Sequence, residues 1–456
     1  MKGIKLNVLD FLSKNVKPAT GCTEPIAVGF ATSVAYNALF NESVVSSGDV
    51  ISFPKNAPTF NTNQLVEIKV KTDKDVFKNA YAVKIPGTGG QKGIGIATAM
   101  GLHSDYQKKL NLFNDITPEL IEKAQQTLNS NKIKVSFMES KEKMPHLDIQ
   151  VSIKYLIENS SRTSLVQIED EHDNITRIEV DGKILFEGSR KLPQKEQGEF
   201  PKSIVELVHI AESMTPQERE EVYKGILMNK NIANEGLQGN FGLNIGKNLE
   251  KMAKMDGSYD SMVMQVRIMV AAAADARMGG AKIPVMSTSG SGNQGITALV
   301  PIAVISEIKN IDYDKTCKAA LLSHLITKFT HLYSTHLSAL CGCAVKAGIG
   351  ATAGITYLLD GSLEEINNAI NLVVANITGI ICDGAKEGCA LKLGTASAVA
   401  TESALMALEG IKIPPDNGII YENAGDTIKA LGKISNSMVK TDNEIINLMQ
   451  LKYKGT

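Results

Sequence analysis

Four of the six cysteines fall between residues 341 and 389, as Cys341-Gly-Cys343 and then Cys382 and Cys389 around Asp-Gly-Ala-Lys-Glu-Gly. Iron–sulfur clusters need several thiolates converging on one cavity from short loops that can approach an inorganic core. The Cys382–Cys389 spacing offers two thiolates from one glycine-bearing turn, and a helix end near Cys341 offers a third. This is neither the paired spacing of zinc ribbons nor that of either ferredoxin type. Three ligands on a four-iron cluster leave one iron open, and an open iron is a Lewis acid for a substrate atom. Small thiols also suit plain burial in an Ala/Gly-rich core, and spacing alone leaves both readings open.

Two glycine-rich loops have the character of anion cradles. Gly290-Ser291-Gly292-Asn293-Gln294-Gly295 opens the apolar stretch ITALVPIAVI, and free N–H groups at a helix start favour a phosphate or a carboxylate. Dinucleotide binding would require a following strand and a crossover. DYDKTCKAALLSHL follows instead and reads as a helix, so a substrate carboxylate suits the loop better, and a tight interhelical turn is the plainer alternative. Pro86-Gly-Thr-Gly-Gly-Gln-Lys-Gly93 has similar physics but lacks the closing Lys-Ser/Thr of a P-loop. Gly21-Cys22-Thr-Glu24-Pro25 places a thiol just before a Pro-started helix, where a thiolate is favoured and acid/base or nucleophilic work becomes possible. Arg277 in DARMGG is suited to a two-pronged grip on a carboxylate, or to pairing with Asp275 at a helix end. His324, His331 and His336 read as helix-surface or core histidines.

These residues require a scaffold of helices and strands. Apolar spacing predicts helices in LNVLDFLSK, PIAVGFATSVAYNAL, SIVELVHIAESM, TCKAALLSHLITKF, LEEINNAINLVVANI and TASAVATESALMALEG, with Thr215-Pro216 starting another. Strand-like stretches cluster from Val44 to about Gly188: DVISF, QLVEIKV, YAVKI, KIKVSFM, LDIQVSIKYL, SLVQIED and ITRIEV. Asp181-Gly182 marks a turn there, and Thr117 caps a helix over Pro118–Leu128. The expected fold is a mostly α-helical catalytic domain (1–43 plus 203–456) with an inserted α/β domain on a largely antiparallel sheet (44–202). Its linker lies in Ser189–Lys202.

The chain has 456 residues, 43% hydrophobic and 5% aromatic, without Trp, so its core must be built from Ala, Leu, Ile, Val and Met. Lys plus Arg number 48 and Asp plus Glu 49. That balance supplies no basic surplus for phosphates and argues against nucleic acid as the main partner. Arg267 and Lys346 interrupt the longest apolar runs, which excludes a membrane span there. The first residues are too polar for a signal peptide. A cytoplasmic protein with reduced thiols is expected, and its Ala-rich helices are expected to pair it into a homodimer.

Taken in order, GCTEP (21–25), PGTGG (86–90), DARMGG (275–280), SGSGNQGIT (289–297), LSALC (337–341) and ICDGA with Cys389 resemble the L-cysteine desulfidase family, relatives of iron–sulfur L-serine dehydratases. The resemblance runs through nearly the full chain, although no motif matches from about 105 to 200. It implies a [4Fe–4S] cluster on Cys382, Cys389 and Cys341, with Cys343 as the alternative first ligand, and no pyridoxal phosphate. Cys22 matches the thiol that the family uses in proton transfer. Glu24, Arg277, Ser289, Ser291, Asn293 and Gln294 are then the expected substrate-binding residues, and L-cysteine the substrate. Loss of water from L-serine at the same site is the nearest alternative. An electron-transfer or sensor role would not need the anion loops.

Overall fold

A computed structural model describes residues 6–47, 50–138, 147–191, 200–334 and 339–454. The chain is 56% helical, with one mixed sheet of six strands and small antiparallel sheets. It divides into two compact units. A helical unit comprises Met1–Gly21, Glu196–Asp383 and Glu387–Ile445, and an α/β unit comprises Cys22–Lys195, Gly384–Lys386 and Ile446–Thr456.

Small side chains build the helical unit. Ala271, Ala272, Ala273 and Ala274 on the helix Met262–Met278 are fully buried. The neighbouring helices Pro216–Gln238 and Ile245–Asp256 meet that helix through Gly236 and Gly246. A Cβ at Gly236 would stand 2.0 Å from the Ala272 carbonyl oxygen, so these backbones touch with nothing between them. Local signals set the helix starts. Thr215 and Ser362 each form a capping box with a glutamate three residues on, Glu218 and Glu365. The long helices Gly292–Lys309, Tyr313–Tyr333, Ala347–Leu358 and Cys389–Leu408 complete the frame.

The α/β unit is organised by a sheet whose strands run, in spatial order, Ile133–Phe137, Leu65–Thr72, Asp148–Ile157, Ser160–Glu169, Ile175–Val180 and Lys183–Glu187. The first pair is parallel and the other four pairings are antiparallel, the last three of them joined by short turns. Glu158 and Asn159, both with positive φ, close one hairpin, and Asp181-Gly182 closes another. The helix Thr23–Ala38 packs on Asp148–Ile157 and Ser160–Glu169, and the Ser164 hydroxyl donates to the Ala35 carbonyl at 2.7 Å.

Two expectations shift. YAVKI is no strand: only an isolated Lys84–Lys92 bridge survives, because the helix Lys74–Ala80 runs up to it and Pro86-Gly87 turns the chain back at once. The compact units divide at Cys22 rather than at Val44. Helix Thr23–Ala38 is buried on almost every side, covered by the sheet, the segment Tyr106–Asn111 and the helix Ile94–Gly101. Gly101 lets that helix approach so closely that a Cβ there would lie 2.3 Å from the Gly29 oxygen. Most of the expected linker, 192–199, lies outside the described residues. Among those residues no helix is long and apolar enough to cross a membrane.

Candidate active site

In the helical unit a single antiparallel bridge, Leu340 with Ile381, brings two cysteine-bearing segments together. The Cys341 N–H donates to the Ile380 carbonyl at 2.9 Å and the Cys382 N–H to the Ala339 carbonyl at 2.6 Å. Cys341 and Cys382 each follow the bridged residue, so both leave the ladder on the same face, and their thiols share a hydrogen bond. Cys343 sits on the π-helical turn Gly342–Lys346, an irregularity frequent at functional sites, with its sulfur 3.5 Å from the Ser291 hydroxyl. Cys389 is the first residue of the helix Cys389–Leu408. Leu337 and Ser338 of the LSALC string lie outside the described residues.

The thiols govern one another. Hydrogen bonding to Cys382, then burial, then the charge that Cys382, Cys343 and Cys389 would carry raise the Cys341 thiol well above its ordinary range. Burial pushes Cys343 up to about 12 against the pull of the Ser291 hydroxyl and Arg277. Such thiols stay neutral unless a cationic centre takes their protons' place. Among the described residues no three His, Cys, Asp or Glu side chains meet closely enough to share a single metal ion. A cluster makes a different demand, one thiolate for each of several irons. Four mutually opposed thiols from the segments around 341–343, 382 and 389 fit that demand.

Beside them stands the glycine-rich loop. Ser291 is the N-cap of the helix Gly292–Lys309 and accepts from the Gln294 N–H. Arg277 is 7% exposed and donates to Asn293 Oδ1 at 2.8 Å and to the Gly21 carbonyl at 2.6 Å. Gly292 is obligatory, since a Cβ would come within 2.4 Å of Arg277 Nε, and at Gly295 it would strike the Met286 oxygen at 1.8 Å. Asn293 spends its oxygen on Arg277, so Asn293 and Arg277 form one buried unit. Arg277 does not pair with Asp275, whose carboxylate accepts from the Leu243 and Gly246 N–H groups instead. Burial raises Asp275 to about 6 against those two bonds. Arg277 Nε and the Ser289 hydroxyl are buried without a partner among the described residues. Buried polar groups without a partner are uncommon in folded proteins and call for an explanation.

Two residues not expected at the site belong to it. Lys346 is 1% exposed. Burial lowers its ammonium to about 8, and the charges of Cys343, Cys382 and Cys341 oppose that fall. Its Nζ lies 3.5 Å from His331 Nδ1, and His331 Nε2 lies 2.6 Å from Gln294 Oε1. With the ammonium donating to Nδ1, the ring carries its proton on Nε2 and donates to Gln294. The Gln294 amide nitrogen then faces Gly342, where a Cβ would stand 3.2 Å from it. A lysine inside the run CGCAVKAGIGATAG was the available signal. His331, one of three histidines on a helical pattern, carried none. His324 is fully buried with Nδ1 2.8 Å from the Thr288 hydroxyl, and burial pushes it down to about 3, so it is a neutral core group. Lys392 ties the cysteine loop together, donating to the Ile381 carbonyl at 2.7 Å and pairing with Asp383.

Cys22 and Glu24 belong to the α/β unit. Cys22 is the N-cap of the helix Thr23–Ala38, 7% exposed. Its thiol donates to Glu24 Oε2 at 2.8 Å, and Glu24 Oε1 accepts from the Asn79 amide at 3.2 Å. Glu24 thus partners the thiol, where the sequence pointed to substrate. In the same unit the loop 86–93 closes on itself. The Thr88 hydroxyl donates to the Ile85 carbonyl at 2.7 Å, and Gly93 (φ +93°) allows a turn in which a Cβ would meet the Tyr81 oxygen at 2.8 Å. That is a structural turn.

A family model described as serine dehydratase alpha chain matches residues 107–447. A UPF0597 protein of Caldanaerobacter subterraneus subsp. tengcongensis is 37% identical over 98% of each chain. Similar proteins, also described as UPF0597, occur in Desulfatibacillum aliphaticivorans (33% identical, 97% of each chain) and Clostridioides difficile (32%, 97% of this chain and 98% of that one).

Proposed function

We propose, from the premise that this chain belongs to the serine dehydratase alpha-chain family, that it is an iron–sulfur lyase eliminating sulfide from L-cysteine. The products are pyruvate and ammonia. The observation that carries the reading is the set of thiols at 341, 343, 382 and 389 beside a buried loop with unspent donors. Cys341, Cys382 and Cys389 would hold a [4Fe–4S] cluster, with Cys343 as the alternative first ligand. When bound, that cluster supplies an open Lewis-acid iron for the substrate's heteroatom.

The chain's own residues bind and move protons. Arg277 Nε, the Ser289 hydroxyl and the Gln294 amide, held by His331, are donors suited to an amino acid's carboxylate. Asn293 and Ser291 keep the loop and the guanidinium in place. Cys22, whose proton has an acceptor in Glu24, is the thiol that this reading uses to take the α-proton. Loss of that proton and of the bond from Cβ to sulfur leaves 2-aminoacrylate, which tautomerises to an imine and hydrolyses to pyruvate and ammonia. A small-molecule substrate suits these donors, and a homodimer suits the Ala-rich helices.

Loss of water from L-serine is the second reading, favoured by the family's description; GCTEP at the N-terminal motif favours cysteine. The test is anaerobic purification with iron and sulfide analysis and a visible spectrum, then parallel assays of pyruvate, sulfide and ammonia from L-cysteine and L-serine. A kcat/KM at least tenfold higher for cysteine is expected. Turnover of cysteine by an iron-free protein would refute the proposal, and a preference for serine would select the second reading.

A further inference from the structure

In the helical unit, residues 288–291 form a tight turn built from unfavourable choices. The Thr288 N–H donates to the Ser291 carbonyl and the Ser291 N–H to the Thr288 carbonyl, both at 3.1 Å. The two residues between them have positive φ, +48° at Ser289 and +81° at Gly290. That is the pattern of a two-residue type I′ loop, where glycine, asparagine or aspartate is the ordinary choice at each centre. Serine carries a Cβ that the left-handed region does not favour. Its hydroxyl is also buried without a partner among the described residues, the residue being 8% exposed. A glycine at 289 would relieve both costs.

The turn is pinned from two sides. On one, the Ser289 N–H donates to the Asn15 carbonyl and the Ser287 N–H to the Lys17 carbonyl, each at 2.8 Å. The Ser287 hydroxyl in turn accepts from the Lys17 N–H at 3.1 Å. On the other side stands His324 of the helix Tyr313–Tyr333, fully buried, with Nδ1 2.8 Å from the Thr288 hydroxyl. Its Nε2 has no partner among the described residues. Phenylalanine or leucine would fill such a place without stranding a polar atom. The imidazole is therefore explained by the one bond it makes.

Ser291 closes the turn and caps the helix Gly292–Lys309, so Ser289 stands two residues before the N-cap, at the positive end of the helix dipole. Local rules are broken in this way where function outweighs stability. A hydroxyl fixed before its ligand arrives loses no freedom on binding, and that preorganisation raises affinity.

We infer that His324 is a positioning residue: through Thr288 it holds the turn 288–291 in a strained form that sets the Ser289 hydroxyl for the carboxylate of an α-amino acid. The identity of the ligand rests on the lyase reading; the strain and its anchor do not.

The experiment uses the full-length protein, purified anaerobically. His324→Phe tests the bond directly, and Thr288→Val removes the same bond at constant side-chain shape without touching the core ring. Each should raise KM for L-cysteine and L-serine alike by about tenfold, with kcat changed less than about threefold. Thr288→Ser, which returns the hydroxyl, should stay within about twofold of wild type. Ser289→Gly should raise the thermal midpoint by about 2 °C and weaken the binding of L-alanine, an amino acid without a leaving group, by about tenfold. L-Alaninamide, which lacks the carboxylate, should bind weakly and equally to both proteins. Wild-type KM in Thr288→Val, or equal impairment in Thr288→Ser, overturns the positioning. A midpoint no higher than wild type in Ser289→Gly overturns the strain. A KM effect confined to one amino acid, or equal affinity for L-alanine and L-alaninamide, overturns the carboxylate assignment. Absence of turnover with both amino acids sinks the lyase reading instead, and the midpoint and L-alanine binding still decide the inference.

Discussion

The two units solve the same packing problem with different side chains, and the difference decides where chemistry can be housed. In the helical unit glycine and alanine let backbones touch, as at Gly236, Gly246 and Ala272. Main-chain carbonyls and short polar groups then come within reach of long polar side chains, and Arg277, Asn293 and Lys346 can be buried with partners. In the α/β unit large rings do the filling. Tyr36, Phe40, Phe60 and Tyr155 meet at centroid distances of 5.3–6.2 Å, edge-on except for the tilted Phe60–Tyr155 pair. The same unit also holds a recess whose lining includes Phe30 and Phe186.

Changes to the thiols should break this contrast most completely. Cys382→Ser removes a ligand, and the anaerobically purified protein should hold below about a tenth of the wild-type iron with activity down at least about 1,000-fold. Retention of iron would place the cluster elsewhere. Arg277→Lys should follow, because a point charge cannot hold Gly21 and Asn293 together while presenting a planar Nε. A loss of about 100-fold in kcat/KM with iron content unchanged is expected. A small effect would mean that Arg277 only braces the helix end.

His331→Phe sharpens the comparison within the helical unit. It should free Gln294 to rotate and lower kcat/KM about tenfold, mostly through KM, at near-normal stability. The conservative His331→Gln, which can still donate to Gln294, should recover part of the loss. The smallest effect belongs to the other unit. Burial, reinforced by the neighbouring charge of Glu169, raises Asp148 to about 6 against its bonds from Gln167 and Gln150. An unfolded carboxyl titrates near 4, so between about pH 4 and 6 the folded chain binds more protons than the unfolded one. The contribution of Asp148 to stability is present below that window and is lost as pH rises through it. Asp148→Asn keeps an acceptor for Gln167 without the charge. Its thermal midpoint should exceed the wild type's by about 2–4 °C at pH 7.5 and converge with it near pH 4.

Local order was largely legible. Thr117 and Thr215 cap the helices that their neighbours predict, and LEEINNAINLVVANI is a helix from end to end. The alternating burial of Leu65–Thr72 matches its pattern of residues. YAVKI was misleading because five residues carry strand propensity without a partner to pair with, and Pro86-Gly87 prevents one. The grouping of helix Thr23–Ala38 with the α/β unit was not legible, because an all-round apolar helix shows no preferred face and nothing local says whether helices or a sheet will cover it. Glu24 and Arg277 were legible as polar groups near chemistry, but their partners, Cys22 in one case and Gly21 with Asn293 in the other, were not.

By itself the order of residues determined the elements, their caps and turns, and the kinds of donor available: thiols, one arginine in DARMGG, hydroxyls and amides in a glycine-rich loop. Tertiary structure alone decided that Leu340 pairs with Ile381 and so joins Cys341 to Cys382, that Lys346 orients Gln294 through His331, and that a recess opens beside Phe30. The reason is physical. Helical periodicity, capping and turn formation act over a few residues, so sequence spacing reports them. The approach of two backbones depends on every side chain between them, and small residues far apart in the chain set that distance only once they have met.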